Sequence, residues 1–285
     1  MICRLCPRLC GVDRSLSRGY CGAGEKAVVA RAELHFWEEP YLTGSGASGA
    51  VFFSGCNLRC VFCQNHKISF RLTGEEKSAA ELADLFRFLE DEGAENIDLI
   101  TPTPYVESIK EALDIYRPAL PIIYNSSGYE RVETIASLKG YIDIYLPDYK
   151  YCDQKLAARY SGAPDYPEIC EAALLEMRSQ VEDLVVDGVM KKGLAIRHLV
   201  LPTHADDSFR VLDRVHKLFG KNVYLSIMGQ YTPCGEIESF PELKSPLKSL
   251  EYKAVIAHAL ALGFEHAFSQ EEGAASRDYI PAFLR

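Results

Sequence analysis

From residue 50 onward, short apolar runs alternate with amphipathic stretches, and no other feature restricts the fold as much. The runs are 50–53, 97–100, 121–124, 142–146, 195–201 and 223–227, rich in Val, Ile, Leu, Phe and Tyr as buried strands are. Between them apolar residues recur at helical spacing: Leu82, Leu85, Phe86 and Leu89, then Val106, Ile109, Leu113 and Tyr116, then Val132, Ile135 and Leu138. Ser78 and Glu81 stand three apart ahead of the first stripe, the pattern of a helix-capping box. The spacing predicts further helices near 168–187, 207–219 and 248–262, the last ending at Gly263. Strands joined through helices run parallel, because a parallel return needs a long crossover. The chain therefore reads as α/β, with six linked strands in a parallel sheet rolled into an open or closed barrel.

At 285 residues the chain suits one large domain with a small appendage. Residues 1–30 form that appendage, rich in Cys, Gly and Arg with little apolar periodicity, and unable to build a core without a metal. Residues 31–285 form the main domain, and 31–49 read as a connecting stretch. Gly44-Ser45-Gly46-Ala47-Ser48-Gly49 matches a dinucleotide fingerprint, but it precedes a strand instead of following one, so it reads as a lead-in. A formal charge of −9 argues against general attraction to nucleic acid or anionic lipid, and no apolar run spans a membrane. The amino terminus lacks the apolar core of an export signal, and the expected location is the cytoplasm. There, the seven of ten cysteines that fall into two tight groups read as metal ligands and not as disulfides.

The second group, Cys56-x3-Cys60-x2-Cys63, directly follows the run 50–53. Three thiolates hold three irons of a cubane and leave the fourth open, which suits catalysis better than structure or simple electron carriage. The first group, Cys3, Cys6, Cys10 and Cys21, supplies four thiolates, for a closed zinc site or a second [4Fe-4S] cluster. Cys152, Cys170 and Cys234 stand apart and read as packed structural thiols.

The Cys56–Cys63 motif, with Phe62 before its last cysteine, resembles the signature of the radical S-adenosylmethionine (SAM) superfamily. More narrowly, the stretches 63–69, 101–104, 124–130, 143–150 and 230–233 resemble proteins related to pyruvate formate-lyase activating enzyme (PflX-like), over nearly the whole chain. The resemblance implies a partial (β/α)6 TIM-type barrel with the Cys-rich extension at its amino end. It implies a [4Fe-4S] cluster whose open iron takes SAM, reductive SAM cleavage, and hydrogen abstraction by a 5′-deoxyadenosyl radical. It places Phe62 near the adenine. Thr101 and Thr103 occupy the position where many relatives carry a Gly-Gly-Glu run that binds the SAM amino group, and they read equally as a Pro-stiffened turn.

Asn125, Ser126 and Ser127 are candidates for the SAM carboxylate or ribose, or for capping the next helix. Asp148 and Lys150 resemble the Asp-x-Lys pair of glycyl-radical activases, and an alternating strand aims both the same way. Arg197 is a candidate carboxylate partner, His198 reads as a ligand contact or a core histidine, and Met228 and Gln230 end the sixth strand. The implied partners are a reduced flavodoxin or ferredoxin as electron donor and either a glycyl-radical enzyme or another protein or small-molecule substrate. The non-enzyme alternative is an iron–sulfur carrier or scaffold.

Overall fold

The structure, a computed structural model, describes residues 2–269. Ten strands form one sheet system. Strand β1 (Ala27–His35) is followed by a short helix α1 (Pro40–Thr43) and by β2 (Ser48–Phe53). After α2 (His66–Phe70) and β3 (Glu75–Lys77) the chain alternates regularly. Helix α3 (Ala79–Asp91) leads to β4 (Ile97–Ile100), α4 (Val106–Ile115) to β5 (Ile122–Ser126), and α5 (Val132–Ala136) to β6 (Ile144–Pro147). Two helices, α6 (Gln154–Ser161) and α7 (Tyr166–Gln180), precede a hairpin of β7 (Leu184–Val186) and β8 (Val189–Leu199). Helix α8 (Ala205–Phe219), β9 (Tyr224–Met228), α9 (Ser249–Leu262) and β10 (His266–Ser269) complete the order.

The sheet runs β10-β9-β8-β6-β5-β4-β2-β1-β3. From β2 to β10 all neighbours are parallel, whereas β1 pairs antiparallel with β2 and β3 antiparallel with β1. The six expected strands thus appear in chain order as a partial barrel, with β10 as one further parallel strand. No described helix is long and apolar enough to cross a membrane.

Three sequence expectations change. The stretch 31–49 is not a plain connection: β1 occupies most of its first part and α1 follows. The helix expected at 168–187 stops at Gln180, because Leu184–Val186 pairs with β8 instead. Asp187 and Gly188, both at positive φ, make the two-residue turn that this hairpin needs. In consequence β8 begins at Val189, not at 195.

Strand alternation sorts the core into two compartments. Val51, Leu99, Tyr124, Tyr145, Ile196 and Leu225 face outward and pack with helix residues such as Leu82, Phe86, Ile109 and Val211. Ile123, Ile144, Leu146 and Ala195 face inward, where Tyr41 and Leu42 of α1 plug the barrel. The capping box before α3 is formed: Glu81 N donates to Ser78 Oγ, and Ser78 N donates to Glu81 at 2.8 Å.

Candidate active site

The loop after β2 carries Cys56, Cys60 and Cys63 into one cavity of about 540 Å³. Its first turn needs Gly55: φ is +86°, and a Cβ there would meet the Cys21 carbonyl oxygen at 2.6 Å. Each sulfur has a hydrogen-bond contact. Leu58 N donates to Cys56 Sγ (3.4 Å), Ser161 Oγ donates to Cys60 Sγ (3.0 Å), and Cys63 Sγ lies 3.4 Å from Ser69 Oγ. Burial, then the neighbouring thiols, pushes Cys63 up to about 12, and burial pushes Cys56 up to about 11. Buried thiolates need compensating positive charge, which the nearby Lys150 supplies in part and a bound iron–sulfur cluster would complete. Among the described residues no three ligand side chains are gathered as a single metal ion requires. Three hydrogen-bonded sulfurs around one cavity, those of Cys56 and Cys60 buried and that of Cys63 partly so, do suit the corners of a cluster. Phe62, 6% exposed, lines the same cavity and is held edge-on by Tyr151, Tyr160 and Tyr231.

Arg8 braces this loop from the amino-terminal unit. Its guanidinium donates to the carbonyls of Asn57 (2.8 Å), Gly162 (2.6 Å) and Ser161 (2.8 Å), and lies over the rings of Tyr20 and Tyr129. Ser161 is the residue whose hydroxyl reaches Cys60.

The ends of the parallel strands supply the rest of the cavity wall. Thr101, Asn125, Ser126, Ser127, Asp148, Lys150, Arg197, Met228 and Gln230 all line it. Lys150 Nζ lies 2.5 Å from Asp148 Oδ2, and Arg197 Nε lies 3.0 Å from Asp148 Oδ1. Against the upward push of burial, these two cations hold the Asp148 carboxyl below its ordinary range. Arg197 also donates to Asn125 Oδ1. Ser127 Oγ is buried and has no partner among the described residues.

Thr103 lies outside the cavity lining. Its Oγ1 donates to Glu130 at 2.6 Å, and both residues are buried. His198 points outward from β8, bonded to Tyr149 O and Ser208 Oγ, and burial lowers its pKa to about 4. Cys170 is buried, Cys152 donates to Tyr149, and Cys234 donates to the Phe62 carbonyl.

Cys3, Cys6 and Cys21 are buried and Cys10 partly so. Backbone bonds from Cys3 N to Val12 O (2.8 Å) and Gly11 N to Cys3 O (3.2 Å) fold this segment into a knuckle. Burial pushes Cys6 up to about 12, with Cys21 and Cys3 adding to the push, so these thiols are neighbours.

The cavity also contains residues that the sequence reading did not single out. Glu38 and Glu39, with His35 and Trp37, line it from the β1–α1 connection. The available signal was the acidic pair directly before Pro40, at the mouth of an apolar Tyr-Leu pair.

A family model described as the radical SAM superfamily matches residues 50–210. An uncharacterized protein of Methanocaldococcus jannaschii, MJ0674, is 30% identical over 255 residues, covering 86% of this chain and 70% of that protein. Among solved structures, methylornithine synthase (PylB) superposes with a TM-score of 0.53 at 16% identity, over 78% of this chain and 63% of that one. HydG, a maturase of the [FeFe]-hydrogenase, gives 0.51 at 14% identity over 79% and 52%. The radical SAM methyltransferase TsrM from Kitasatospora setae gives 0.51 at 12% identity over 80% and 55%. The chain thus spans less than two thirds of the length of each of these three, and the likeness carries the fold alone. Both the family match and the relative cover most of the barrel described above, and this chain belongs to the radical SAM superfamily.

Proposed function

We propose that this chain holds SAM against a [4Fe-4S] cluster and abstracts hydrogen from a substrate bound in the same cavity. The observation that carries this is the convergence of three cysteines and the strand-end polar groups on one cavity of about 540 Å³. Cys56, Cys60 and Cys63 would hold three irons and leave the fourth for SAM. When bound, the cofactors supply one-electron cleavage of the sulfonium bond, giving methionine and a 5′-deoxyadenosyl radical that takes a hydrogen atom from the substrate.

The chain's own residues bind and orient. Phe62 offers an aromatic face to the adenine. Thr101, Asn125, Ser126 and Ser127 offer hydrogen bonds to the amino, carboxylate or ribose groups, Ser127 with a hydroxyl free to do so among the described residues. Arg197 and Lys150 present positive charge to a carboxylate, and Asp148 between them fixes both. Met228 and Gln230 close the wall. Thr103 acts through Glu130 as a positioning residue.

Anaerobic reconstitution with iron, sulfide, SAM and dithionite is expected to yield 5′-deoxyadenosine, and Cys60→Ala is expected to abolish it. No 5′-deoxyadenosine from the iron-loaded wild type would sink the proposal. An iron–sulfur carrier would neither bind nor cleave SAM.

The narrower reading, activation of a glycyl-radical enzyme, rests on the Asp148–Lys150 pair. A protein radical detected by electron paramagnetic resonance (EPR), after incubation with a glycyl-radical enzyme from the same genome, would support it. The second reading, a small molecule or another side chain as substrate, is favoured by the polar and charged side chains that line the cavity. A reduced flavodoxin or ferredoxin would supply the electron. We read residues 1–30 as a metal-binding extension to a core of 31–285, its four cysteines taking zinc or a second [4Fe-4S] cluster. Metal analysis of the Cys6→Ala, Cys10→Ala double variant separates those two metals.

A further inference from the structure

We propose that the end of the cavity farthest from the cysteine loop is a subsite for a protonated amine or guanidinium on the substrate. This rests on the hydrogen-abstraction reading and names the class of substrate that reading leaves open.

Topology separates the two ends. The cysteine loop leaves β2 after Phe53, its last residue. Strand β1 runs antiparallel, so His35 at its end pairs with Ser48, the first residue of β2. A six-residue strand spans roughly 20 Å. The chain after His35 therefore enters the barrel from the rim opposite the cysteines.

Glu38 and Glu39 lie on that entering segment and line the cavity. Glu39 accepts from Ser226 Oγ at 2.6 Å. Glu38 accepts from the Glu39 backbone N–H at 3.3 Å and stands 3.7 Å from Arg197 Nη1. Asp98, on the inward face of β4, is wholly buried and its carboxyl faces Glu38. One Asp98 oxygen takes the Asn125 amide at 3.1 Å, and the carboxyl lies within hydrogen-bond reach of Glu38, so the pair must share a proton or hold a cation.

The charges do not balance. Glu38, Glu39 and Asp98 are three carboxyls around one cation, Arg197, while Asp148 and Lys150 pair with each other at the strand-end rim. Arg197 is already shared between Asp148, Asn125 and Glu38. Buried carboxylates without a cation are costly, so this layer favours a positively charged guest.

A separate observation concerns a neutral group. Tyr41 Oη on α1 is buried, with its residue 3% exposed, and has no partner among the described residues. Tyr41 packs in the inner compartment of the barrel, two residues after Glu39, and the charges that act on it are those of Glu39, Arg197 and Glu38. An ammonium brings three donors and a guanidinium five, enough for Glu38 and Glu39 together. Phe268 and Trp37 add aromatic faces to the cavity wall, a further attraction for a cation.

The test uses the full-length, cluster-loaded protein. Calorimetry measures binding of pentylamine, pentylguanidine, pentan-1-ol and pentanoate, and of a lysine-centred pentapeptide beside its acetyl-lysine form. The amine or the guanidine is expected to bind at least tenfold tighter than the alcohol, and Glu38→Gln and Glu39→Gln each to lose at least tenfold. A preference for the lysine peptide over the free amine identifies a protein side chain as the source, and the reverse a small molecule. Binding of the alcohol or pentanoate as tight as the amine, or no binding of any probe, overturns the subsite. The comparison among wild-type ligands needs no variant to fold. Formation of 5′-deoxyadenosine without cation preference defeats this inference alone. Cation preference without 5′-deoxyadenosine defeats the hydrogen-abstraction reading alone.

Discussion

Glu130 shows how one buried residue couples stability to pH. It is wholly buried, and it accepts from Thr103 at 2.6 Å and from Tyr124 at 3.4 Å. Burial outweighs these bonds and raises its pKa from 4.5 to about 8. Between those values the folded chain keeps a proton that the unfolded chain releases. Its stabilising contribution is therefore complete below pH 4.5 and is lost as pH rises to about 8. The slope is on the order of 1 kcal/mol per pH unit in that window. Glu130→Gln cannot ionise and is expected to flatten the decline. Melting temperatures of both proteins at pH 5 and pH 8 check this, and equal declines would contradict it. Lys150 carries a second residue-scale expectation. Its side chain is 15% exposed and that of Asp148 14%, so the pair is largely out of water. Lys150→Met leaves Asp148 with Arg197 alone and is expected to cost about 1.5–3 kcal/mol in urea unfolding, the loss of one charged hydrogen bond. A loss below about 1 kcal/mol would show the pair to be solvated.

At the scale of elements, the cysteine loop is braced from outside the barrel. Arg8 lies between Cys6 and Cys10 and holds the Asn57 and Ser161 carbonyls. Arg8→Ala is expected to lower the iron retained at Cys56, Cys60 and Cys63 after desalting several-fold, with only partial rescue in Arg8→Lys, whose ammonium cannot reach several carbonyls in one plane. Iron content and the cluster EPR signal check this, and full retention in Arg8→Ala would contradict it. Helix α3 is simpler: Ser78→Ala removes one half of its capping box and is expected to cost about 1 kcal/mol.

Elements with strong periodicity were legible in the sequence. The stripe from Leu82 to Leu89 and the strands 97–100 and 223–227 each repeat one pattern over enough residues to declare their type. Strand β1 escaped because only its first three residues are fully buried, and Arg31 and Glu33 interrupt the rest. Helix α1 has four residues, too few to display a period. The β7–β8 hairpin was hidden because Leu184–Val186 continues the apolar character of α7 while lying exposed.

For the whole molecule, the open barrel gathers distant sequence at one cavity. The strand-end residues could be read in advance because a parallel sheet places every such end on one rim. Glu38 and Glu39 could not, since they reach the cavity only through the antiparallel return of β1 and the plug made by α1. The family rests on the match across residues 50–210, while the proposed chemistry rests on three thiolates that would leave one iron open to SAM. EPR of the reduced cluster tests that vacancy, in a chain with Cys6→Ala and Cys10→Ala so that only the Cys56–Cys63 site contributes. Adding SAM is expected to shift the g values of that single signal. A spectrum unchanged at saturating SAM would mean the fourth iron is already closed, and the account would fail.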